Sequence, residues 1–348
     1  MLLRQNKIVF METEIANSYI LKMAKKRKIG RRFNQLRHDL IGITKNHGFK
    51  ISIFYLIVKI VTKLPLLSAI FKKACGQKLL VKVLVLDSWM YLNLFDPGIS
   101  YQLIVNGIRE PGHVEQVRDA LKAGMKGIDI GANIGYYVLL EAQLVGLEGR
   151  IFCIEPAPDN FSLLKKNVLE NNFDDRVTCF QYLVGDKNGP EKLFLSEAAN
   201  SHSIAAISGR SVELPMVTID HFLATKHINP EEIDFLRMDI EGYEVMVLQH
   251  MQTLLANRKK PLKLFIELHP SSYEQWGWTL EKFINYLMSL GFIPKSVVER
   301  EIDEQGLINE RAVSMVNGVG LAEVLKRTIK KENESGFLDN WFLELPPR

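Results

Sequence analysis

The sequence predicts an α/β protein: a doubly wound, mostly parallel sheet with helices on both faces, behind a basic helical extension. Three observations carry that prediction. Strand-like and helix-like segments alternate at least five times between residues 127 and 291, the pattern of parallel strands joined by crossover helices. A short apolar strand, Gly127 to Ile130, runs through Gly131, Ala132 and Gly135 into an apolar segment, Tyr136 to Val145. Polar residues also stand at the ends of five successive strands, the side on which such sheets bind ligands.

At 348 residues, 47% hydrophobic and 24% charged, the chain can bury one large core or two. Cys75, Cys153 and Cys179 are an odd, scattered set without metal-ligand spacing, which points to a reducing, cytoplasmic compartment rather than a disulfide framework. Residues 1–80 carry 17 Lys/Arg against 3 Asp/Glu, whereas the remainder carries 27 against 37, so the two parts meet different surroundings. We therefore expect a basic helical extension over 1–80 and an α/β domain over 81–348.

The basic run Lys22 to Arg37 is followed by Ile51 to Phe71, apolar but interrupted by Lys59, Lys63 and Pro65. Those charges argue against a spanning helix, since each costs ~2.5–3.5 kcal/mol near a bilayer centre. The position and flanks do not suit a cleaved signal peptide. A solvated helical cap, a peripheral patch for an anionic membrane through residues 22–72, and a nucleic-acid surface are the readings open to this part; overall, no nucleic-acid partner is expected.

From Val81 the pattern turns to strands. Val81 to Leu86 and Met90 to Phe95 flank Asp87-Ser88 as a hairpin, and Val114 to Leu121 reads as a helix. After the glycine turn and its helix comes the strand Ile151 to Ile154, ending on Glu155-Pro156. A helix follows with Asp159 as N-cap, then a strand from Arg176 to Val184 ending at Gly185-Asp186. Lys192 to Val217 reads as looser structure, and Asp220 as the cap of a short helix. Ile233 to Met238 is the next strand, ending on Asp239-Ile240-Glu241-Gly242 before a helix. Leu264 to Leu268 ends at His269-Pro270, and a helix capped by Thr279 stops at Gly291. Short strands and a charged helix around Leu321 to Lys331 complete the chain.

The glycine turn reads G-A-N-I-G and lacks the middle glycine of a dinucleotide site. Asp129 stands two places before it, where a carboxylate repels pyrophosphate and attracts an ammonium group. Glu155, about twenty residues on at the tip of the next strand, can take both hydroxyls of a ribose. A nucleoside with a cationic end satisfies both acids, and S-adenosylmethionine is such a ligand.

These motifs resemble the FkbM-type S-adenosylmethionine-dependent methyltransferases. The residues that carry the resemblance are Asp129 to Tyr137, Glu155-Pro156-Ala157-Pro158, Val184-Gly185-Asp186, Met238 to Glu244 and Phe265 to His269, with Gly98-Ile99-Ser100 and Glu110-Pro111 leading in. They occupy a motif core of 98–295 and leave the basic extension outside. Arg237 stands where the family more often has lysine, and is not expected to touch the chemistry.

The resemblance implies a Rossmann-like class I methyltransferase architecture and O-methylation of a hydroxyl or carboxylate on a sugar, glycolipid or other metabolite, with a small-molecule or glycan acceptor. It also implies that Asp129, Gly131 and Asn133 hold the methionine part, Glu155 the ribose, and that Val184, Gly185 and Asp186 border the adenine, with Glu110, Ala132, Gly135, Tyr136 and Pro156 also at the cofactor. Asp239, Glu241 and His269 are left near the transferring methyl. A poorly nucleophilic hydroxyl needs a base, worth ~10²- to 10⁴-fold. His269 has the ordinary pKa for that task, and Asp239 and Glu241, two apart, can perturb one another. No metal is expected, because two carboxylates lack an evident third ligand. Plainer roles exist: Asp239 can cap a helix, Glu241 favours its first turn, Tyr136, Tyr137 and Tyr243 can be packing, and His202 can be a surface residue. An NAD-dependent oxidoreductase or epimerase, and a membrane-associated protein that has lost turnover, are the alternative functions.

Overall fold

The computed structural model describes residues 30–63, 78–196, 198, 202, 204, 209–256, 259–302, 308–314 and 340–347. Residues 22–29 of the basic run and the charged segment around Leu321 to Lys331 lie outside the described residues. The chain divides into two compact units, one of 1–83 with 92–95 and 101–107, the other of 84–91, 96–100 and 108–348.

In the first unit, α1 (Gly30–His47) and α2 (Phe49–Lys63) form an antiparallel pair across Gly48, which takes φ 85°. Asp39, buried on α1, accepts hydrogen bonds from Tyr55 and Tyr101 Oη at 2.8 and 2.9 Å and from Gln35 Nε2 at 2.9 Å. A Cβ at Gly42 would stand 2.4 Å from the Val105 carbonyl oxygen, so only glycine lets α1 approach the chain this closely. The expected hairpin, β1 (Leu80–Val85) and β2 (Ser88–Asn93), turns through Leu86 and Asp87 at positive φ, and its residues 84–91 belong to the second unit.

The second unit is built on an eight-stranded sheet. Its parallel strands are β3 (Lys126–Ile130), β4 (Arg150–Ile154), β5 (Val177–Phe180), β9 (Phe235–Met238) and β10 (Leu262–Glu267). β11 (Ile293–Ile302), β12 (Ile308–Ser314) and β13 (Asn340–Leu345) complete it in the order β12-β11-β13-β10-β9-β3-β4-β5. β13 pairs antiparallel with both β10 and β11, and β12 antiparallel with β11. The chain moves outward from β3 to β5 and then returns to β9 on the other side of β3. With right-handed crossovers, that reversal puts helices on both faces and opens a crevice at the strand ends beside β3.

The central strands are near-continuous apolar runs because both of their faces are covered. The helix after the glycine turn, α5 (Tyr136–Val145), is buried over most of its surface for the same reason. Between the hairpin and β3 lie α3 (Ile99–Asn106) and α4 (Pro111–Ala120).

Four expectations need correction. The strand expected from Arg176 to Val184 is two: β5 ends at Phe180, and β6 (Leu183–Val184) pairs instead with β8 (Ser211–Val217), which also pairs with β7 (Gly189–Phe194). The looser stretch expected over Lys192 to Val217 therefore includes two strands of a second, three-stranded sheet. Ala157 rather than Asp159 is the N-cap of α6 (Pro158–Glu170), with Pro158 at its first position; Thr218 rather than Asp220 caps α7 (Ile219–Thr225). The helix capped by Thr279, α10 (Leu280–Ser289), is as expected, and Gly291 follows it at φ 93°.

Candidate active site

The C-terminal ends of β3, β4 and β9 border a cleft open to solvent, which Leu183, Val184 and Leu193 also line. The local backbone explains why it forms. Gly131 takes φ 84°, and a Cβ there would stand 1.9 Å from the Asp239 carbonyl oxygen, so the turns after β3 and β9 can touch only with glycine at this position. The Gly131 and Ala132 amides donate to the Ile154 carbonyl at 2.9 and 3.1 Å, tying the glycine turn to β4. Asn133, at φ 51°, turns its amide outward to Glu155 Oε2 at 2.8 Å. Glu155 Oε1 accepts from the Ala157 amide at 2.8 Å. Burial pushes this carboxyl up to about 7, against the opposing pull of those amides.

Of the residues expected at the cofactor, Gly131, Asn133, Glu155, Pro156 and Val184 line the cleft, with Asp239 and Glu241 beside them. Glu110, Asp129, Ala132, Gly135, Tyr136, Gly185 and Asp186 are not among the lining residues. Tyr137 Oη donates to Glu110 Oε2 at 2.9 Å, Tyr136 Oη donates to the Arg109 carbonyl at 2.7 Å, and Asp186 accepts from Tyr243 Oη at 2.9 Å. Asp129 is wholly buried, with Oδ1 accepting from Arg237 at 3.2 Å. Tyr182, Leu193, His202 and Ile204 line the cleft although their sequence context marked none of them. Tyr243 lines it as well. Leu193 belongs to the second sheet and His202 and Ile204 to the loop between its strands β7 and β8, so a sheet pairing distant in sequence brings them here, whereas Tyr243 follows β9 directly.

At the β9 end, His269 Nε2 stands 3.9 Å from Asp239 Oδ1 and 3.7 Å from Glu241 Oε2. Glu244 organises this corner. It opens α8 (Glu244–Gln249) and is fully buried. Its Oε1 accepts from the Ile240 and Gly242 amides at 3.3 and 3.1 Å, and pairs with His269 Nδ1 at 2.8 Å. Burial opposes charge on the His269 ring, but the hydrogen-bonded Glu244 carboxylate, with Asp239 beside it, outweighs that and raises its pKa well above the ordinary value. His269 is therefore an imidazolium at neutrality, which corrects the expectation that its unperturbed pKa would serve. Glu241, held in the left-handed region at φ 56°, is pushed up to about 7, chiefly by burial, against the pull of His269. Asp239, Glu241 and His269 each bring one donor atom within 4.8 Å of the others, so His269 supplies the third metal-type ligand that sequence reasoning lacked.

Arg237 also departs from expectation. It is buried, reaches Asp129 and Asp239 at 3.2 Å each, and lies 4.0 Å above the Tyr137 ring. Burial disfavours its charge, yet Asp129 and Asp239 hold it protonated. Glu267, lifted well above the carboxylate range by burial and by Asp239, carries a proton and hydrogen-bonds Asp239. Glu141 of α5 is wholly buried with neither oxygen hydrogen-bonded, and burial likewise keeps it neutral.

Residues 129–294 match the family model for the methyltransferase FkbM domain. Among curated proteins, none matches the chain. Solved structures similar to it include a SAM-dependent methyltransferase from Aquifex aeolicus, 14% identical over 72% of this chain and 95% of that one, with a TM-score of 0.36. A SAM-dependent O-methyltransferase from Thermotoga maritima is 14% identical over 81% and 82%, with a TM-score of 0.37. An O-methyltransferase from Bacillus cereus in complex with SAH is 10% identical over 57% and 76%, with a TM-score of 0.34.

Removing Arg237 leaves Asp129 as an uncompensated buried charge. We predict that Arg237→Met destabilises the fold by about 3–5 kcal/mol, and that adding Asp129→Leu restores part of the loss, Asp239 still lacking its cation. Urea denaturation of both variants measures this; a single variant as stable as wild type would show that Asp129 is not held by Arg237. Residues 129–294 are thus similar to the methyltransferase FkbM domain, and S-adenosylmethionine-dependent methyl transfer is the activity that this match supports.

Proposed function

We propose that the protein transfers a methyl group to a hydroxyl oxygen of a small-molecule or glycan acceptor, with Glu241 as the proton acceptor. The single observation that carries this reading is a cleft lined by the buried carboxyl of Glu155 and by Asp239 and Glu241, with His269 Nε2 3.7 Å from Glu241 Oε2. The fit to the cofactor rests on the Gly131 cradle that a Cβ would fill, on Glu155 at the rim, and on the apolar wall of Ile154, Leu183 and Val184. Glu155 would take the ribose hydroxyls, and Val184 would border the adenine. Bound there, S-adenosylmethionine supplies an electrophilic methyl group on its sulfonium.

The chain's own residues then govern the acceptor's proton. A group whose pKa lies near the working pH combines the correct protonation state with useful proton affinity. Glu241, at about 7, meets that condition, whereas His269 already carries its proton. The roles therefore divide. Glu241 Oε2 receives the acceptor's proton, the His269 imidazolium beside it steadies the carboxylate, and Glu244 fixes the ring. Alignment of the acceptor oxygen with the methyl does much of the remaining work.

A second reading is favoured by the three converging donors: a divalent cation held by Asp239, Glu241 and His269 would itself lower the hydroxyl's pKa. We predict that methyl transfer survives exhaustive treatment with EDTA. Activity lost with EDTA and regained with Mg²⁺ or Mn²⁺ would replace Glu241 as base with that cation.

Glu241→Gln is expected to lower kcat by about 10²- to 10⁴-fold with cofactor affinity retained. In wild type the rate should rise as pH climbs through about 7, because Glu241 must be ionised to accept a proton. A variant that keeps wild-type turnover and the same pH profile would remove Glu241 from the mechanism.

Glu155→Ala should weaken S-adenosylmethionine binding by about 1.5–3 kcal/mol, the scale of a hydrogen bond to a charged group. Wild-type affinity should fall as pH drops below about 7, where Glu155 gains a proton and loses acceptor capacity. Equilibrium dialysis at several pH values measures both; an unchanged dissociation constant would mean that Glu155 does not hold the sugar.

A further inference from the structure

A surface helix ordinarily hides its apolar stripe and shows water a polar one. α2 of the first unit does not. Its inward face is made by Ser52, Tyr55 and Val58, all buried. Its outward face carries Ile53, Phe54, Ile57 and Ile60, which are 41%, 38%, 51% and 52% exposed and follow one another at i, i+1, i+4 and i+7. Ile41 of α1, 51% exposed, adds to the apolar surface of the same helical pair. A run of exposed isoleucine and phenylalanine along one helix marks a surface that meets something other than water.

The charges around this ridge indicate what that is. The exposed charged side chains described on α1 and α2 include Arg37, Lys45 and Lys50, all basic, while Asp39 is buried and engaged by two tyrosines. Lys59 reaches back over the Tyr55 and Tyr101 rings, leaving the ridge itself apolar. Apolar side chains bordered by lysine and arginine on a helix lying flat match the boundary between anionic headgroups and acyl chains. Among the described residues no helix is long and apolar enough to cross a bilayer.

We propose that α2 is a membrane-docking element, inserting Ile53, Phe54, Ile57 and Ile60 into the interface of a leaflet rich in anionic lipid, with Lys45 and Lys50 on its headgroups. This inference does not depend on the reaction assigned to the cleft.

The test is cosedimentation of the full-length protein with vesicles of phosphatidylcholine alone and of phosphatidylcholine with phosphatidylglycerol. Binding is expected to the anionic vesicles only, and to weaken as salt is raised. Ile57→Asp should reduce the bound fraction by about tenfold through loss of one inserted side chain. Lys45→Glu with Lys50→Glu should reduce it at low salt while leaving the apolar ridge intact. Both variants should keep the circular dichroism and S-adenosylmethionine binding of wild type, which reports that the fold is unaffected. Equal lack of binding to both vesicle types would overturn the proposal. So would wild type that runs as a dimer in light scattering and becomes a monomer in Ile57→Asp, because the ridge would then be covered by a second copy.

Discussion

The buried cation Arg237 is the contact on which the ligand-facing end of the sheet depends. Asp129, Glu141 and Glu267 are buried at the ends of adjacent strands and on the neighbouring helix, and Asp239 stands beside them at the edge of the cleft. Four ionised carboxylates in that space would repel each other strongly. The structure resolves this with one guanidinium between Asp129 and Asp239 and with protons kept on Glu141 and Glu267. Arginine suits this position because it stays charged when desolvated, offers several donors and lies flat on the Tyr137 ring. Asp239 thereby remains ionised at the edge of the cleft.

From that edge, charge is graded outward. Asp239 is held ionised, His269 protonated, and Glu241 poised near neutrality. Two neighbouring acids differ because Asp239 is compensated by Arg237, whereas burial dominates at Glu241. Opposite assignments produced by different environments are how a site obtains acid–base function from ordinary side chains. Glu244 belongs to the same device: one carboxylate oxygen closes the turn before α8 and fixes the histidine ring.

Much of the fold was legible because its signals are local. The glycine turn, the apolar strands and the Thr279 cap are each written in a few adjacent residues. What was missed depends on partners distant in sequence. Arg176 to Val184 looks like one strand, but Val184 leaves the main sheet because β8, some thirty residues later, is its partner. Glu155 could be read from its place at a strand tip. Glu244 could not, since an acid opening a helix looks like any favourable first-turn residue. Arg237, in an apolar strand, read as a substitution of lysine, and only the pairing of β9 with β3 sets it opposite Asp129.

The most direct measurement of the central claim is a crystal structure with S-adenosylhomocysteine bound. The ribose hydroxyls should lie at about hydrogen-bond distance from the Glu155 carboxylate, with the sulfur on the Asp239 and Glu241 side of Gly131. A nucleoside lying elsewhere, or one bound in the cleft with its sulfur turned away from Glu241, would contradict the account.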